Sequence, residues 1–211
     1  MNEQQAVLDF FNQPENLPLG LVLAEQMDNI RERINTQFWQ GLHQRVDALI
    51  QEHALPWHAI TTEDRNAENN LVGLYCAVRS EQELYLRPMM EQQNLGNTWR
   101  IYFGLMWSVA PSPQQLALPA VTALKNVLLQ AGFKSNENLL GWQWTNLHPR
   151  RRDFLLRYAQ HPDTLLNEAQ GLLQILLLDH RESIAAANAA LQVAPRSLTV
   201  SLDQLHSKRK N

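Results

Sequence analysis

The sequence predicts one α+β domain, in which an antiparallel sheet of four to five strands has helices packed mainly on one face. Two observations lead to this fold class. A long amphipathic helical pattern comes first in the chain, and a group of strand-like segments with short links follows it. The length of 211 residues suits a single domain with one core. We expect this domain to span residues 1–195, and residues 196–211 to form a loose C-terminal tail.

Residues 1–55 are predicted to form an N-terminal helical part. A short helix over Gln4–Phe11 precedes Pro14, and Pro18 suits the first turn of a long second helix that ends before Pro56. Apolar residues recur along the second helix at steps of three and four, which is typical of an amphipathic helix. These residues are Leu23, Met27, Ile30, Ile34, Phe38, Leu42, Val46 and Leu49.

Residues 56–110 are predicted to form a β-meander. Residues 79–82 suit a hairpin turn, and Gln92–Asn97 suits a loop that contains a glycine. Because the links between consecutive strands are short, we expect antiparallel pairing. The predicted strands, all rich in apolar and β-favouring residues, are Trp57–Thr62, Leu71–Val78, Glu83–Met90 and Thr98–Val109.

Residues 111–195 are predicted to form a helix, a strand and two further helices. Gly132 suits the residue that follows the first of these helices, because glycine readily adopts a positive φ there. A proline at position 162 separates the last two helices. The predicted elements are a helix over Gln114–Ala131, a strand over Asn138–Thr145, and helices over Arg150–Gln160 and Pro162–Leu191.

Composition and charge exclude several classes of protein. The net charge of -3 argues against a protein built mainly to hold nucleic acid, which normally has a basic excess. Cys76 is the single cysteine, so the chain has no internal disulfide. No signal peptide is recognisable, and the apolar run over residues 172–178 is far shorter than the roughly 20 residues that span a bilayer. We therefore expect a cytoplasmic protein without membrane contact.

The sequence contains no recognisable catalytic motif. G-x-S-x-G, C-x-x-C and H-E-x-x-H are all absent, and the glycines form no phosphate-binding loop. Cys76 lies in an apolar strand and is predicted to be a buried, inert thiol. His53 and His58 flank a predicted corner, but their spacing matches no zinc pattern. We therefore expect no catalytic residue, no metal ion and no cofactor.

The candidate binding residues are three consecutive arginines and two nearby tryptophans. Arg150, Arg151 and Arg152 are predicted to lie in the first turn of a helix, where positive charge opposes the helix dipole. This local conflict favours a role in binding a phosphate or a carboxylate. Trp142 and Trp144 precede them, and basic residues beside exposed aromatic rings can hold single-stranded nucleic acid. A solvated basic face is the commoner meaning of such a run, and it is the interpretation that we favour.

The tryptophans also have a structural interpretation. Trp142 and Trp144 are two residues apart and should point to the same side of the sheet. Trp99 and Trp107 are eight apart and should also share a side. We expect all four rings to cover the sheet where the helices pack, and a ligand-stacking platform is the alternative.

Five segments and their order along the chain carry a resemblance to a known family: Pro14–Pro18, Gln37–Leu42, Leu84–Arg87, Ile101–Leu105 and Gly141–Trp144. This order resembles the C-terminal accessory region of bacterial PD-(D/E)XK-superfamily nuclease-like proteins, which often occur near mobile elements and phage-defence genes. The resemblance covers about Pro14–Leu191. No Asp followed by Glu-x-Lys occurs at a strand end, so no metal-binding residue of the nuclease is carried over.

The sequence therefore favours a non-catalytic protein-interaction or regulatory module, with a protein partner or self-association. The resemblance implies a link to mobile-element or phage-defence systems. The alternative is an accessory protein that binds nucleic acid through Arg150–Arg152. A small-molecule enzyme with an unrecognised site is the third interpretation.

Overall fold

The structure, a computed structural model, describes residues 2–66, 72–78, 83–95 and 98–193. Within these residues it contains seven α-helices and one five-stranded antiparallel sheet, so the predicted α+β fold class is confirmed. The predicted hairpin turn at residues 79–82 and the predicted tail at residues 196–211 lie outside the described residues.

The strands pair in the order in which they occur along the chain. Each neighbouring pair is antiparallel, and a register shift between Leu105 and Met106 marks an irregularity in the last pair. The strands are β1 (Trp57–Thr61), β2 (Val72–Val78), β3 (Leu86–Leu95), β4 (Thr98–Trp107) and β5 (Leu139–Trp144).

The helices precede β1, connect β4 to β5 and follow β5. A π-helical segment, Ile175–Asp179, separates the last two helices. The α-helices are α1 (Glu3–Phe11), α2 (Leu17–Glu52), α3 (Pro113–Leu116), α4 (Pro119–Gln130), α5 (Arg152–Gln160), α6 (Pro162–Gln174) and α7 (Arg181–Val193).

The third strand is longer than the sequence predicts. The sequence predicts that it ends at Met90 and that a loop begins at Gln92, but pairing with β4 continues to the register of Leu95 with Thr98. The polar residues that suggest a loop occupy strand positions. The side chain of Gln92 is buried and accepts a hydrogen bond from the indole Nε1 of Trp39 over 3.3 Å. A buried polar residue with a partner is compatible with a strand.

The helix predicted over Gln114–Ala131 is divided into α3 and α4. A proline disfavours the helical conformation of the residue before it, and Leu118, which precedes Pro119, has a ψ of 133°. Gly132 has a φ of +84° immediately after the C-cap residue Ala131, as its predicted role requires.

The predicted helix over Pro162–Leu191 is also divided. The chain leaves α-helical geometry at Ile175, passes through the π-helical segment and re-enters a helix after His180. No glycine or proline marks this division in the sequence, so residue patterns gave no signal for it. The apolar face continues across the segment, because Leu173, Leu176 and Leu177 are all buried.

The main core lies between the helices and one face of the sheet. The C-terminal half of α2 crosses this face, and Phe38 and Trp39 are fully buried there. Phe38 also makes an edge contact with Phe154 of α5, with ring centroids 5.3 Å apart. Alternate residues of the strands supply the other side of the core, as expected for a sheet covered on one face. They include Leu74, Cys76, Leu86, Met90, Ile101, Phe103 and Leu105.

The N-terminal half of α2 does not share in this core. The amphipathic face predicted from Leu23 onwards is buried only from Phe38, since Leu23, Met27 and Ile30 are exposed. None of residues 2–34 is buried. We call residues 2–33 the helical arm.

Two glycine substitutions test the packing of this fold. A Cβ on Gly104 would lie 2.3 Å from the carbonyl oxygen of Gly141 on β5, so Gly104→Ala must separate the two strands. We expect it to lower the free energy of unfolding by about 1–3 kcal/mol.

Gly171, inside α6, has open space at its Cβ position, and Gly171→Ala should raise the free energy of unfolding by about 0.5–1 kcal/mol. Urea unfolding measures both changes, and equal midpoints for Gly104→Ala and wild type would contradict the assigned β4–β5 pairing.

Candidate functional site

The second face of the sheet lies opposite the helices, and side chains of the strands themselves line it. We call it the open face. Trp142 and Trp144 lie together on it as predicted, with ring centroids 5.4 Å apart. Trp107 belongs to the core beneath the helices, as predicted. Because Trp142 and Trp144 lie on the opposite face, the prediction that all four rings cover the side where the helices pack is wrong. The apolar residues of the open face are Tyr75, Met89, Tyr102, Met106, Leu139, Trp142 and Trp144.

A buried carboxylate lies near the centre of the open face. Glu91 is only 1% exposed. Its Oε1 accepts a hydrogen bond from the Tyr75 hydroxyl over 2.6 Å, and its Oε2 accepts one from the Tyr102 hydroxyl. Gly73 lies opposite Glu91 across the β2–β3 pair, and a Cβ there would lie 2.8 Å from the Cγ of Glu91. The glycine therefore leaves the space that the buried carboxylate occupies.

The two tyrosines are held in their protonated form. Burial raises the pKa of Tyr75 and of Tyr102 well above the ordinary value near 10, and the negative charge of Glu91 raises both further. Both hydroxyls therefore stay hydrogen-bond donors. Because both oxygens of Glu91 are occupied, this carboxylate has a structural role and is poorly placed to act as a general base.

Cations lie over the aromatic rings of the open face. The guanidinium carbon of Arg87 is 4.9 Å from the ring centroid of Tyr75, and that of Arg100 is 4.5 Å from the ring of Trp144. The Nζ of Lys134 is 5.6 Å from the ring of Trp142. These distances suit cation–π attraction. The aromatic surface is thus bordered by positive charge.

A groove of about 490 Å³ runs along the β4–β5 side of the open face. Its floor is aromatic and apolar, and amide side chains border it. The Nε1 of Trp142 is buried and has no hydrogen-bond partner among the described residues. The size and lining are typical of a ligand-binding cleft. The lining residues include Gln93, Tyr102, Met106, Asn136, Leu139, Trp142 and Trp144.

The three candidate arginines have three different positions. Helix α5 begins at Arg152, with Arg151 as its N-cap residue, so only Arg152 lies in the first turn. The prediction that all three lie there is wrong. Arg150 instead lies over the ring of the buried Trp99, with 4.0 Å between the guanidinium carbon and the ring centroid. Arg152 is exposed and contacts Glu3 of α1 over 3.7 Å.

Positive charge converges beside these arginines. Burial lowers the pKa of His148, and the positive charges of Arg151 and Arg100 lower it further. Arg151 and Arg100, which lies over Trp144, are therefore both close to His148. Sequence reasoning missed Arg100, although its alternation with Tyr102 along β4 places both on the same face. We call Arg100 and Arg151 the basic cluster.

The helical arm exposes an unusual amount of apolar surface. Helix α1 folds back on α2, with Phe11 against Gly20 and the amide of Asn16 donating to the carbonyl oxygen of Phe10 over 3.1 Å. The other large apolar side chains of the arm are between 38% and 57% exposed. They are Val7, Leu8, Phe10, Leu17, Leu19, Leu21, Val22, Leu23, Met27 and Ile30.

A second cavity of about 490 Å³ lies between α7, the π-helical segment and the β1–β2 edge of the sheet. Its lining is mainly apolar and includes Trp57, Val78 and Leu176, with Arg181 at its border. π-Helical segments often occur at functional sites, and the sequence contains no signal for this one.

Cys76 lies in the core, where burial raises the pKa of its thiol to about 12. A thiol in this environment stays protonated and is a poor nucleophile, in agreement with its predicted inertness. Within the part of the chain that the structure describes, no group of three or more His, Cys, Asp and Glu side chains could hold a metal ion. In the same residues, no helix combines the length and the apolar character that crossing a membrane requires.

No family model, curated protein or solved structure matches this chain. The resemblance to the accessory region of PD-(D/E)XK nucleases therefore stays a prediction.

The Glu91 cluster predicts a loss of stability at high pH. An unfolded tyrosine titrates near pH 10 and the folded Tyr75 and Tyr102 titrate above it, so their stabilising effect is complete below about pH 10. It is lost as the pH rises from there towards the folded values. Tyr75→Phe should lower the free energy of unfolding at pH 7 by about 1.5–3 kcal/mol, because Glu91 loses a donor. The variant should also lose less stability than wild type as the pH rises above about 10.

Chemical unfolding at a series of pH values measures both effects. Glu91→Gln is the second variant, because it keeps the shape of the side chain and removes its charge. It should likewise reduce the loss of stability above about pH 10. The same pH dependence in wild type and both variants would contradict the assigned cluster.

Proposed function

We propose that the chain is a non-catalytic protein-interaction module that binds its partner through the helical arm. The single observation that carries this proposal is the exposure of ten large apolar side chains between Val7 and Ile30. Half-exposed side chains in this number amount to roughly 800 Å², spread over more than one side of the arm, whereas a standard interface takes about that area from each partner. Large apolar side chains exposed close together mark interaction sites, whereas single ones do not.

The physics of short helices supports the same proposal. Most helical stability in proteins comes from packing an apolar face, and isolated helices of about a dozen residues are marginal in water. Helix α1 has no buried residue, and residues 17–34 of α2 have none either. A helical hairpin of this kind gains stability when its apolar face is covered. A protein partner or a second copy of the chain would supply that cover.

The open face supports an enzyme less well. Its buried carboxylate, Glu91, is occupied by the hydroxyls of Tyr75 and Tyr102, and both tyrosines stay protonated. A general base must reach the proton that it removes. The link to mobile-element or phage-defence systems, like a cytoplasmic location, rests on the sequence and is part of this proposal.

Nucleic-acid binding is the second candidate function, and the basic cluster favours it. Residues 1–33 contain six of the 21 acidic residues and two of the 18 Lys and Arg, which leaves 15 acidic residues against 16 Lys and Arg in the rest of the chain. The net negative charge therefore belongs to the arm. Arg100 lies over the half-buried ring of Trp144, and cations beside accessible aromatic rings are the usual elements of a single-strand binding surface.

Site-specific photocrosslinking tests the first candidate. A photoreactive phenylalanine analogue at Val22, an exposed arm position, should give a crosslinked species of higher mass in cells that express the chain. The same analogue at Asn126, an exposed position on α4, is the matched control and should give none. Denaturing gel electrophoresis and mass spectrometry identify the adduct. Absence of an adduct at Leu19, Val22 and Met27 would rule out the arm as a docking surface.

Fluorescence anisotropy with a labelled single-stranded oligonucleotide tests the second candidate. Arg100→Gln with Arg151→Gln should weaken binding and reduce the slope of log affinity against log salt by about one for each arginine. The control, Arg33→Gln with Arg181→Gln, removes the same charge from α2 and α7 and should leave binding nearly unchanged. Equal losses in the two double variants, or no binding by wild type, would reject nucleic-acid binding at this surface.

A further inference from the structure

We infer that the groove on the open face binds a small aromatic molecule that carries one anionic group, a carboxylate or a phosphate. The anionic group pairs with Arg100, and the ring lies along Tyr102, Trp142 and Trp144. The inference goes beyond the proposed function, because it involves neither the helical arm nor nucleic acid.

Arg100 lies at one end of this groove. Its guanidinium carbon is 4.5 Å from the ring centroid of Trp144, which lines the groove. Two further lining residues are its neighbours on the open face, since Gln93 lies opposite it in the β3–β4 register and Tyr102 follows it at the next position of the same face. A ligand in the groove is therefore within reach of this cation.

Arg100 has hydrogen-bonding capacity to spare. Within the part of the chain that the structure describes, it has no ion pair and no hydrogen bond, and its Nε is buried without a partner. A guanidinium group carries five N–H donors in a planar fork, which matches the two oxygens of a carboxylate or a phosphate. A half-buried arginine without a carboxylate, beside a groove, favours an anionic ligand.

A second cation adds to the positive charge at this end of the groove. Burial lowers the pKa of His148, and the charges of Arg151 and Arg100 lower it further, so both guanidinium groups are close to this ring. Asp153 acts on the pKa of His148 in the opposite direction and more weakly than either arginine. The balance of charge beside Arg100 is therefore positive.

The carboxylates near the groove do not compete for Arg100. Glu137 lines the other end of the groove, because the next residue, Asn138, accepts a hydrogen bond from the backbone N–H of Trp107 over 3.2 Å. Trp107 is seven strand positions from Arg100, which corresponds to about 23 Å. Glu91 is 1% exposed and both of its oxygens accept hydrogen bonds, so a ligand does not contact it.

The rings favour an aromatic ligand and disfavour a cationic one. Tyr102, Trp142 and Trp144 meet edge to face, with centroids between 5.4 and 6.0 Å apart, so a cation does not fit between them. Arg100 and Lys134 already lie over two of these rings, and like charge repels a further cation. A neutral ring with an anionic group instead gains edge-to-face or offset contacts and an opposite charge.

Four naphthalene derivatives with the same ring and different head groups test this inference. They are naphthoate, naphthyl phosphate, naphthamide and naphthylmethylammonium, all substituted at the same ring position. Isothermal titration calorimetry with the full chain at neutral pH should give a Kd at or below about 1 mM for at least one of the two anions. That anion should bind at least about tenfold more tightly than the amide and the ammonium compound, because charged hydrogen bonds are the stronger ones. The tighter of the two anions identifies the head group.

NMR of the indole N–H groups locates the binding site. The tighter anion should shift the signals of Trp142 and Trp144, and it should not shift that of Trp39, which is fully buried in the main core. Arg100→Gln should weaken binding of this anion at least about tenfold and leave binding of naphthamide, followed by the same signals, nearly unchanged. Arg181→Gln, the same substitution on α7, is the matched control and should change neither.

Each of the following results overturns the inference. Naphthamide could bind as tightly as both anions, or the ammonium compound more tightly than either. The anion could keep its affinity in Arg100→Gln, or shift only signals other than those of Trp142 and Trp144. Absence of binding by both anions at about 1 mM overturns it as well. None of these results bears on the helical arm, which crosslinking from Val22 tests separately.

Discussion

The length of α2 relative to the core is the constraint on which the rest of the molecule depends. The helix has 36 residues and is therefore about 54 Å long, whereas the sheet covers only its C-terminal half. Phe38 and Trp39 fix that half: one packs against Phe154 and the other donates to Gln92. Because a continuous helix is stiff, fixing one half determines where the other half extends. The helical arm is the direct consequence.

The two faces of the sheet are stabilised in different ways. The helices pack on one face and form the main core with it. On the open face, the hydroxyls of Tyr75 and Tyr102 donate hydrogen bonds to the buried Glu91. Two glycines allow this close packing. Gly73 leaves room for the side chain of Glu91, and Gly104 lets β4 lie close to Trp142 on β5. The hydrogen-bonded carboxylate stabilises the open face, and the groove lies beside it along Tyr102, Trp142 and Trp144.

The fold class was predictable because helix and strand periodicities are local properties of the sequence. The extent of β3 and the division at Ile175 were not, because pairing and packing override local patterns at those places. The exposure of Leu23 and Ile30 was also not predictable from the sequence. Periodicity identifies an apolar face, and only the position of the core shows whether that face is covered.

The candidate site was predicted in part. Trp142 and Trp144 lie side by side as their spacing requires. Arg150 could not be placed from its position before a helix, because its contact is with Trp99, which is 51 positions earlier in the sequence. Glu91 was missed for the same reason, since its two partners come from different strands. Contacts between distant parts of the chain decide the role of a polar residue, and one sequence does not contain them.

Hydrogen exchange followed by mass spectrometry tests the central claim most directly, which is that α2 has a packed half and an uncovered half. Local opening of an element without buried residues costs little free energy, so its amides exchange early. In the monomeric chain, peptides covering residues 19–33 should therefore exchange far faster than peptides covering residues 38–50. Equal protection of the two halves in the monomer would contradict the account, because it would mean that the arm is already covered within the chain.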